Sequence, residues 1–147
     1  MKALSKNIGD IGNRLGQFVE EMIAPAVVPL FRARGIEVHQ VNQRHTAKRE
    51  GAVAEIDLFV VNSNQAVAVE VKSSLSVAHV DKHLETLARI KWFFPQYAGF
   101  EVFGAVAAMV VTTEVAQYAE AQGLFVLQPS GEHVELGNGA GFSPRSW

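Results

Sequence analysis

Two valine-rich runs, Glu55–Val61 and Ala66–Lys72, flank the polar tetrapeptide Asn62-Ser63-Asn64-Gln65, and together they leave little choice but a β-hairpin. Strand side chains alternate between faces. Ala66, Ala68, Glu70 and Lys72 therefore share one face of the second strand, and Val67, Val69 and Val71 the other. The same rule puts Glu55, Asp57, Phe59 and Val61 on one face of the first strand and Ile56, Leu58 and Val60 on the other. A turn made of Ser63 and Asn64, or of Asn62 to Gln65, closes the hairpin in one register. That register sets Asp57 opposite Glu70 and Glu55 opposite Lys72. Opposed Cβ atoms lie roughly 4.5–5.5 Å apart, where two like charges destabilise the pair unless something neutralises them. A divalent cation between Asp57 and Glu70 meets that need.

The rest of the chain supplies partners for the hairpin. Residues 5 to about 34 have helical periodicity, with Ile11, Leu15, Phe18, Met22, Ala26 and Leu30 on one broad apolar face. Pro25 and Pro29 are expected to kink or split this helix, and Gly35 to end it. Ile36 to Gln43 alternates as a strand, and residues 44–52 read as a polar loop or hairpin end. Val77 to about Phe94 is a second amphipathic helix closed by Pro95, with Val80, Leu84, Leu87 and Ile90 inward. Val102 to Thr112 is so continuously apolar that it reads as a strand buried on both faces. A short helix over Glu114–Gln122 and a strand over Leu124–Leu127 follow, then a Gly-, Ser- and Pro-rich tail with one short strand at His133–Leu136. The order is helix, three strands, helix, strand, helix, strand. A meander followed by helical crossovers predicts an α/β fold with a mixed central sheet and helices on both faces.

A chain of 147 residues, 48% of them apolar and 19% charged, is expected to fold as one domain, with a core over about 5–128 and a tail over 129–147. With no cysteine it has neither thiolate metal ligands nor a cysteine nucleophile, which fits a reducing compartment. The first residues lack the apolar stretch of a signal peptide and no run is long enough to span a bilayer, so a cytoplasmic protein without a membrane partner is expected. A net charge of −2 makes no global case for nucleic acid. The distribution is less even: residues 1–50 carry eight Lys or Arg against five acids, and residues 101–147 one against five. Arg44, His45, Lys48 and Arg49 form a close basic group before the first acidic strand.

Asp57, the tripeptide Glu70-Val71-Lys72 and the helical Gly16-Gln17-Phe18-Val19-Glu20 together resemble the PD-(D/E)XK nuclease superfamily, the restriction-endonuclease-like fold. The order of elements over residues 16 to about 127 resembles its α-β-β-β-α-β core, and the chain looks like a group of small bacterial proteins of this superfamily. Ile56 stands where the family pattern has a proline. The resemblance implies a metal-dependent nuclease acting on DNA, or less favourably RNA, as a homodimer. It assigns Asp57 and Glu70 as metal ligands, Lys72 as the catalytic lysine and Glu20, rather than Glu21, as the helix acid.

The residue types suit that chemistry on their own terms. Mg²⁺ is a hard ion that keeps several waters, so two carboxylates and the backbone carbonyl of Val71 are an adequate ligand set, with Mn²⁺ as a substitute. Lys72 follows Glu70 by one strand repeat, roughly 6.6 Å along the same face. There it is placed to orient an attacking water and to offset developing negative charge. Gln43, Arg44, Lys48, Arg49 and Lys82 are candidate contacts to a phosphate backbone. Two other readings stand beside the nuclease: a non-catalytic nucleic-acid-binding module, and a structural or assembly protein in which Asp57, Glu70 and Lys72 form only a salt-bridge network. His79 and His83 have the spacing of a helical Zn²⁺ pair but no third ligand, and are expected as exposed polar residues. Gly137 to Gly141 is read as a flexible turn.

Overall fold

The computed structural model describes the backbone of residues 2–147 and the side chains from residue 14 onward. Helix α1 (Lys2–Arg32) leads into a meander of β1 (Gln40–Arg49), β2 (Ala52–Val61) and β3 (Gln65–Ser74). Helices α2 (Val77–Ala88) and α3 (Ile90–Phe93) and a 3₁₀ turn (Pro95–Tyr97) cross to β4 (Glu101–Val110). Helix α4 (Thr113–Ala121) crosses to β5 (Phe125–Ser130), and β6 (His133–Leu136) closes the chain's one sheet, ordered β1-β2-β3-β4-β5-β6. The pairs β3–β4 and β4–β5 are parallel and the others antiparallel. Both parallel crossovers step the same way across the sheet. Right-handed connections then put α2 and α4 on the same face. Val80, Leu87 and Ala119 accordingly pack there against Ile56, Phe59, Ala68 and Val106. Helix α1 covers the opposite face, where Val19, Ile23, Val27 and Phe31 meet Leu58, Val60, Val67 and Val69.

The buried stripe of α1 is not the expected one. Leu15 and Phe18 are 48% and 60% exposed, while Val19, Ile23, Val27 and Phe31 are fully buried. Ile11 lies outside the residues whose side chains are described. The prolines leave α1 continuous. Pro25 and Pro29 fall with Glu21 on one exposed stripe, so the carbonyls of Glu21 and Pro25, deprived of N–H partners, face water.

Strand β1 runs later than expected, through residues read as a loop. It starts at Gln40, because Ile36 and Val38 are buried without joining the ladder, and it ends at Arg49 paired with Ala52. Glu50 and Gly51 both have positive φ (49° and 80°), so β1 and β2 are joined by a two-residue turn of the primed type. The β2–β3 turn is the expected two-residue one. Asn62 N–H donates to the Gln65 carbonyl (2.9 Å), and the Asn62 side chain accepts the Asn64 and Gln65 N–H groups. The second helix is shorter than its apolar pattern suggests and breaks at Arg89 (φ −112°, ψ 8°).

The glycine-rich segment is part of the packed structure rather than a flexible turn. Asn138 is buried, its Oδ1 accepting the Val126 N–H (2.8 Å) and its Nδ2 donating to the Leu124 carbonyl (3.2 Å). The Arg34 guanidinium holds the carbonyls of Asn138 and Gly139. Trp147 N–H donates to the Val102 carbonyl (2.8 Å), and Arg145 N–H to that of Gly123 (3.0 Å). Gly123 has φ +87°, and a Cβ there would strike the Arg145 side chain and backbone. Gly123→Ala should therefore destabilise the protein by at least the left-handed cost of about 1–2 kcal/mol, measured by chemical denaturation. Gly99→Ala, with nothing within 4 Å, is the neutral control. Equal midpoints for the two variants would mean that residue 123 neither holds the left-handed conformation nor abuts Arg145 as described.

Candidate metal centre

The strands around Asp57 depart from regular alternation. Ala54 and Ile56 pack on the α2 side with Phe59 and Val61, whereas Leu58 and Val60 pack on the α1 side. The face therefore switches between Ile56 and Leu58, at Asp57. Strand β1 makes the matching switch: His45 stacks on Phe94 on the α2 side and Val41 packs on the α1 side. Between them Arg44 has φ +51°, an uncommon backbone for a non-glycine residue. Gln43 pairs with Leu58 and His45 with Ile56, so the shared irregularity keeps the register while Arg44 and Asp57 drop out of the ladder. The expected set of Glu55, Asp57, Phe59 and Val61 on one clean face is thus broken at its functional member.

The β2–β3 register is the expected one up to Leu58↔Val69, where the ladder stops. Strand β3 continues to Ser74 beside β4, so β2 and β3 part just where Asp57 and Glu70 would pair. The Asp57 carboxylate fills the gap, its Oδ2 accepting the Val71 N–H (2.8 Å). The resulting notch opens to both faces of the sheet. A cavity of about 480 Å³ on the α1 side is lined by Gly16, Gln17, Glu20, Arg44 and Ser73. One of about 380 Å³ on the α2 side is lined by Val53, His79, Lys82, His83 and Thr86. Glu55, Asp57, Glu70 and Lys72 line both.

Electrostatics in the notch follow from burial and crowding. Burial, then the charge of Asp57 and a hydrogen bond with it, push the Glu70 carboxyl up to about 8, although Lys72 Nζ at 3.7 Å pulls the other way. Burial and the nearby Asp57 charge also raise Glu20, opposed by Arg44, whose Nε lies 3.7 Å from Glu20 Oε1. That Oε1 is buried and has no hydrogen-bond partner. Crowding of carboxylates whose charge burial already disfavours is what a hard divalent ion would relieve, so the donor set fits such an ion. Among the described residues, however, no three His, Asp or Glu side chains gather around one point. Waters and backbone oxygen would have to complete the coordination.

Of the residues singled out from sequence, Glu20, Asp57, Glu70 and Lys72 come together, and Val71 lines the notch. Glu20 is buried while Glu21 is exposed. Arg44 belongs to the carboxylate cluster rather than to a general basic surface, and Lys82 faces the α2-side cavity. Gln43, Lys48 and Arg49 are exposed and line neither cavity; Arg49 stacks on Trp92 instead (4.8 Å to the ring centre). The histidines differ from expectation. His79 caps α2, its Nδ1 accepting the Ser76 N–H (3.1 Å) while Ser76 Oγ accepts the His79 N–H (3.2 Å). His83 is only 2% exposed, bonded through Nε2 to the Ala68 carbonyl (3.0 Å), with Nδ1 3.9 Å from Glu70 Oε2. Sequence spacing missed it because His83 lies on the buried stripe of α2 with Val80 and Leu87, which says nothing of what lies beneath. A larger cavity, about 590 Å³, lies at the opposite end of the sheet beside Arg34, Phe103 and Phe142 and contains none of these residues.

No protein-family model and no curated protein matches the chain. A solved structure does: the crystal structure of a repair endonuclease from Pyrococcus abyssi, with a TM-score of 0.53 at 17% identity over 76% of this chain and 46% of that one. The chain thus spans less than half the length of that endonuclease. At such identity the likeness establishes the fold, the mixed α/β arrangement with helices on both faces that the resemblance to restriction-endonuclease-like proteins implies. No helix among the described residues is long and apolar enough to cross a membrane.

Proposed function

We propose that this chain is a metal-dependent nuclease domain that hydrolyses phosphodiester bonds, in DNA rather than RNA, at the notch between β2 and β3. The observation that carries the reading is the forced approach of Asp57 and Glu70 at a broken strand pair, with Lys72 beside them. Mg²⁺ or Mn²⁺ bound there would acidify a water and draw charge from a phosphate oxygen. Asp57, fixed by the Val71 N–H, and Glu70 are the protein's carboxylate ligands, and the Val71 carbonyl is the backbone one. Lys72 orients the attacking water and offsets negative charge on the phosphate. Glu20 assists from α1, steadied by Arg44. Lys82 and Arg44, on opposite sides of the notch, are the nearest candidate contacts to the phosphate backbone.

The test is cleavage of single-stranded, double-stranded and branched DNA and of RNA, with Mg²⁺ or Mn²⁺, by the wild type and Glu70→Ala. Cleavage that needs the metal and disappears with Glu70 is the expected result. Binding that weakens steeply with salt but is followed by no cleavage of any substrate would instead identify a non-catalytic nucleic-acid-binding module.

A further inference from the structure

His83 is a buried group of the notch that the proposed nuclease chemistry leaves without a task. It projects from α2 onto the sheet and is fully buried between Ala68 and Glu70. The Ala68 carbonyl can only accept, so Nε2 carries the ring proton and Nδ1 presents a lone pair. That Nδ1 is buried and has no hydrogen-bond partner. An unmet buried acceptor is costly, and the group facing it, Glu70 Oε2 at 3.9 Å, is an oxygen of a candidate metal ligand.

Three physical points converge. An imidazole that binds a metal through one nitrogen characteristically donates the other N–H to a backbone carbonyl or carboxylate, which fixes ring and tautomer. The Ala68 bond does this for His83. Two donors on one ion stand roughly 3 Å apart, so the 3.9 Å between Nδ1 and Oε2 must close by less than an ångström, within reach of the loose terminal torsion of Glu70. Finally, Asp57, Glu70 and His83 line the same α2-side cavity, and because they do not converge on one point without the ion, side-chain torsions must complete the set when it binds.

We propose that His83 Nδ1 is a ligand of the notch's metal ion beside Asp57 and Glu70, and that this nitrogen tunes the site toward a divalent transition ion over Mg²⁺. The inference rests on the metal centre proposed above. Oxygen-only sites suit Mg²⁺, whereas an imidazole donor suits later first-row ions such as Fe²⁺, Ni²⁺ or Zn²⁺, with Mn²⁺ at the weak end of that series. His79 lines the same cavity, but its Nδ1 is taken by the helix cap.

Mn²⁺ is the probe. Pulsed electron paramagnetic resonance of the Mn²⁺-loaded full chain should show coupling to an imidazole ¹⁴N. The coupling should persist in His79→Gln and vanish in His83→Gln, whose amide can keep the Ala68 bond without offering a ring nitrogen. Titration calorimetry should show Mn²⁺ affinity falling in His83→Gln by at least the roughly 10- to 100-fold that loss of a ligand's outer-shell partner costs, with Mg²⁺ affinity changed much less. Mn²⁺ bound by the wild type without ¹⁴N coupling, or coupling retained in His83→Gln, overturns the assignment and leaves the carboxylate centre standing. Failure of the wild type to bind millimolar Mn²⁺ overturns both. Should His83→Gln not fold, the wild-type and His79→Gln spectra decide: coupling present in both supports His83, and coupling absent from either overturns it.

Discussion

Lys72→Ala is expected to lower metal-dependent cleavage by roughly 10²–10³-fold, the usual loss when one donor that stabilises transition-state charge is removed, while metal affinity stays nearly intact. The separation of the two effects follows from the notch. Lys72 Nζ lies 3.7 Å from Glu70 Oε1, so its contact with the metal site is through a charge, not a ligand atom. Glu70→Ala removes a ligand, and its activity should fall together with metal affinity. Lys72 also opposes the upward push on Glu70, so without it the carboxyl ionises only at higher pH. The acid limb of kcat/KM for Lys72→Ala should move up, and metal affinities should be compared at the pH above which neither protein's affinity rises further. If activity and metal affinity fall in parallel at that pH, Lys72 organises the metal centre rather than the water and phosphate.

Much of this arrangement is legible in the sequence because hairpin register is a local property. The Asn62-Ser63-Asn64-Gln65 turn fixes pairing through its own hydrogen bonds, and alternation from that turn carries Leu58 to Val69 without further information. The continuous apolar run in β4 likewise announces burial on both faces, which the parallel neighbours β3 and β5 require. What alternation cannot foresee is its own failure. The face switch at Asp57 depends on Arg44 adopting a positive φ on the neighbouring strand, a cooperative distortion with no signature in either segment alone.

Helical periodicity alone does not separate Glu20 from Glu21, for a different reason; only the resemblance favours Glu20. With Leu15 and Phe18 read as inward, both glutamates seem equally peripheral. With Val19, Ile23, Val27 and Phe31 inward, a wheel of about 100° per residue puts Glu20 within the buried arc and Glu21 well outside it. The apolar content of α1 supports either stripe, and only the sheet's Leu58, Val60, Val67 and Val69 decide between them. His83 was hidden similarly, since it shares the buried stripe of α2 with Val80 and Leu87, and a histidine on such a stripe carries no sequence mark of what lies beneath. The candidate site therefore occupies the places where local rules yield to packing between elements, as functional sites often do.

Glu70→Gln should make the metal-free protein more stable at neutral and alkaline pH while abolishing its response to metal. The Glu70 carboxyl is raised from an ordinary value of 4.5 to about 8, so the folded state holds its proton more tightly than the unfolded chain. The stability this contributes is fully present below 4.5 and is lost as pH rises through 8. His83 works in the opposite sense: burial holds it down to about 4 from 6.5, so it costs stability as pH falls across that range. Between 4.5 and 6.5 the two slopes oppose each other, whereas from 6.5 to 8 the Glu70 slope is free of the His83 one. Across that upper window the metal-free wild type should lose about 2 kcal/mol, and Glu70→Gln, with nothing to ionise at that position, should lose far less. Adding Mn²⁺ at pH 8 should restore the wild type, because an ion that binds only the folded state stabilises it by mass action and takes up the ionised carboxylate. The variant should not respond. Denaturation curves with parallel pH slopes for the two proteins would mean that Glu70 is neither buried nor crowded by Asp57 in solution, and the case for a cation between them would lose its physical basis.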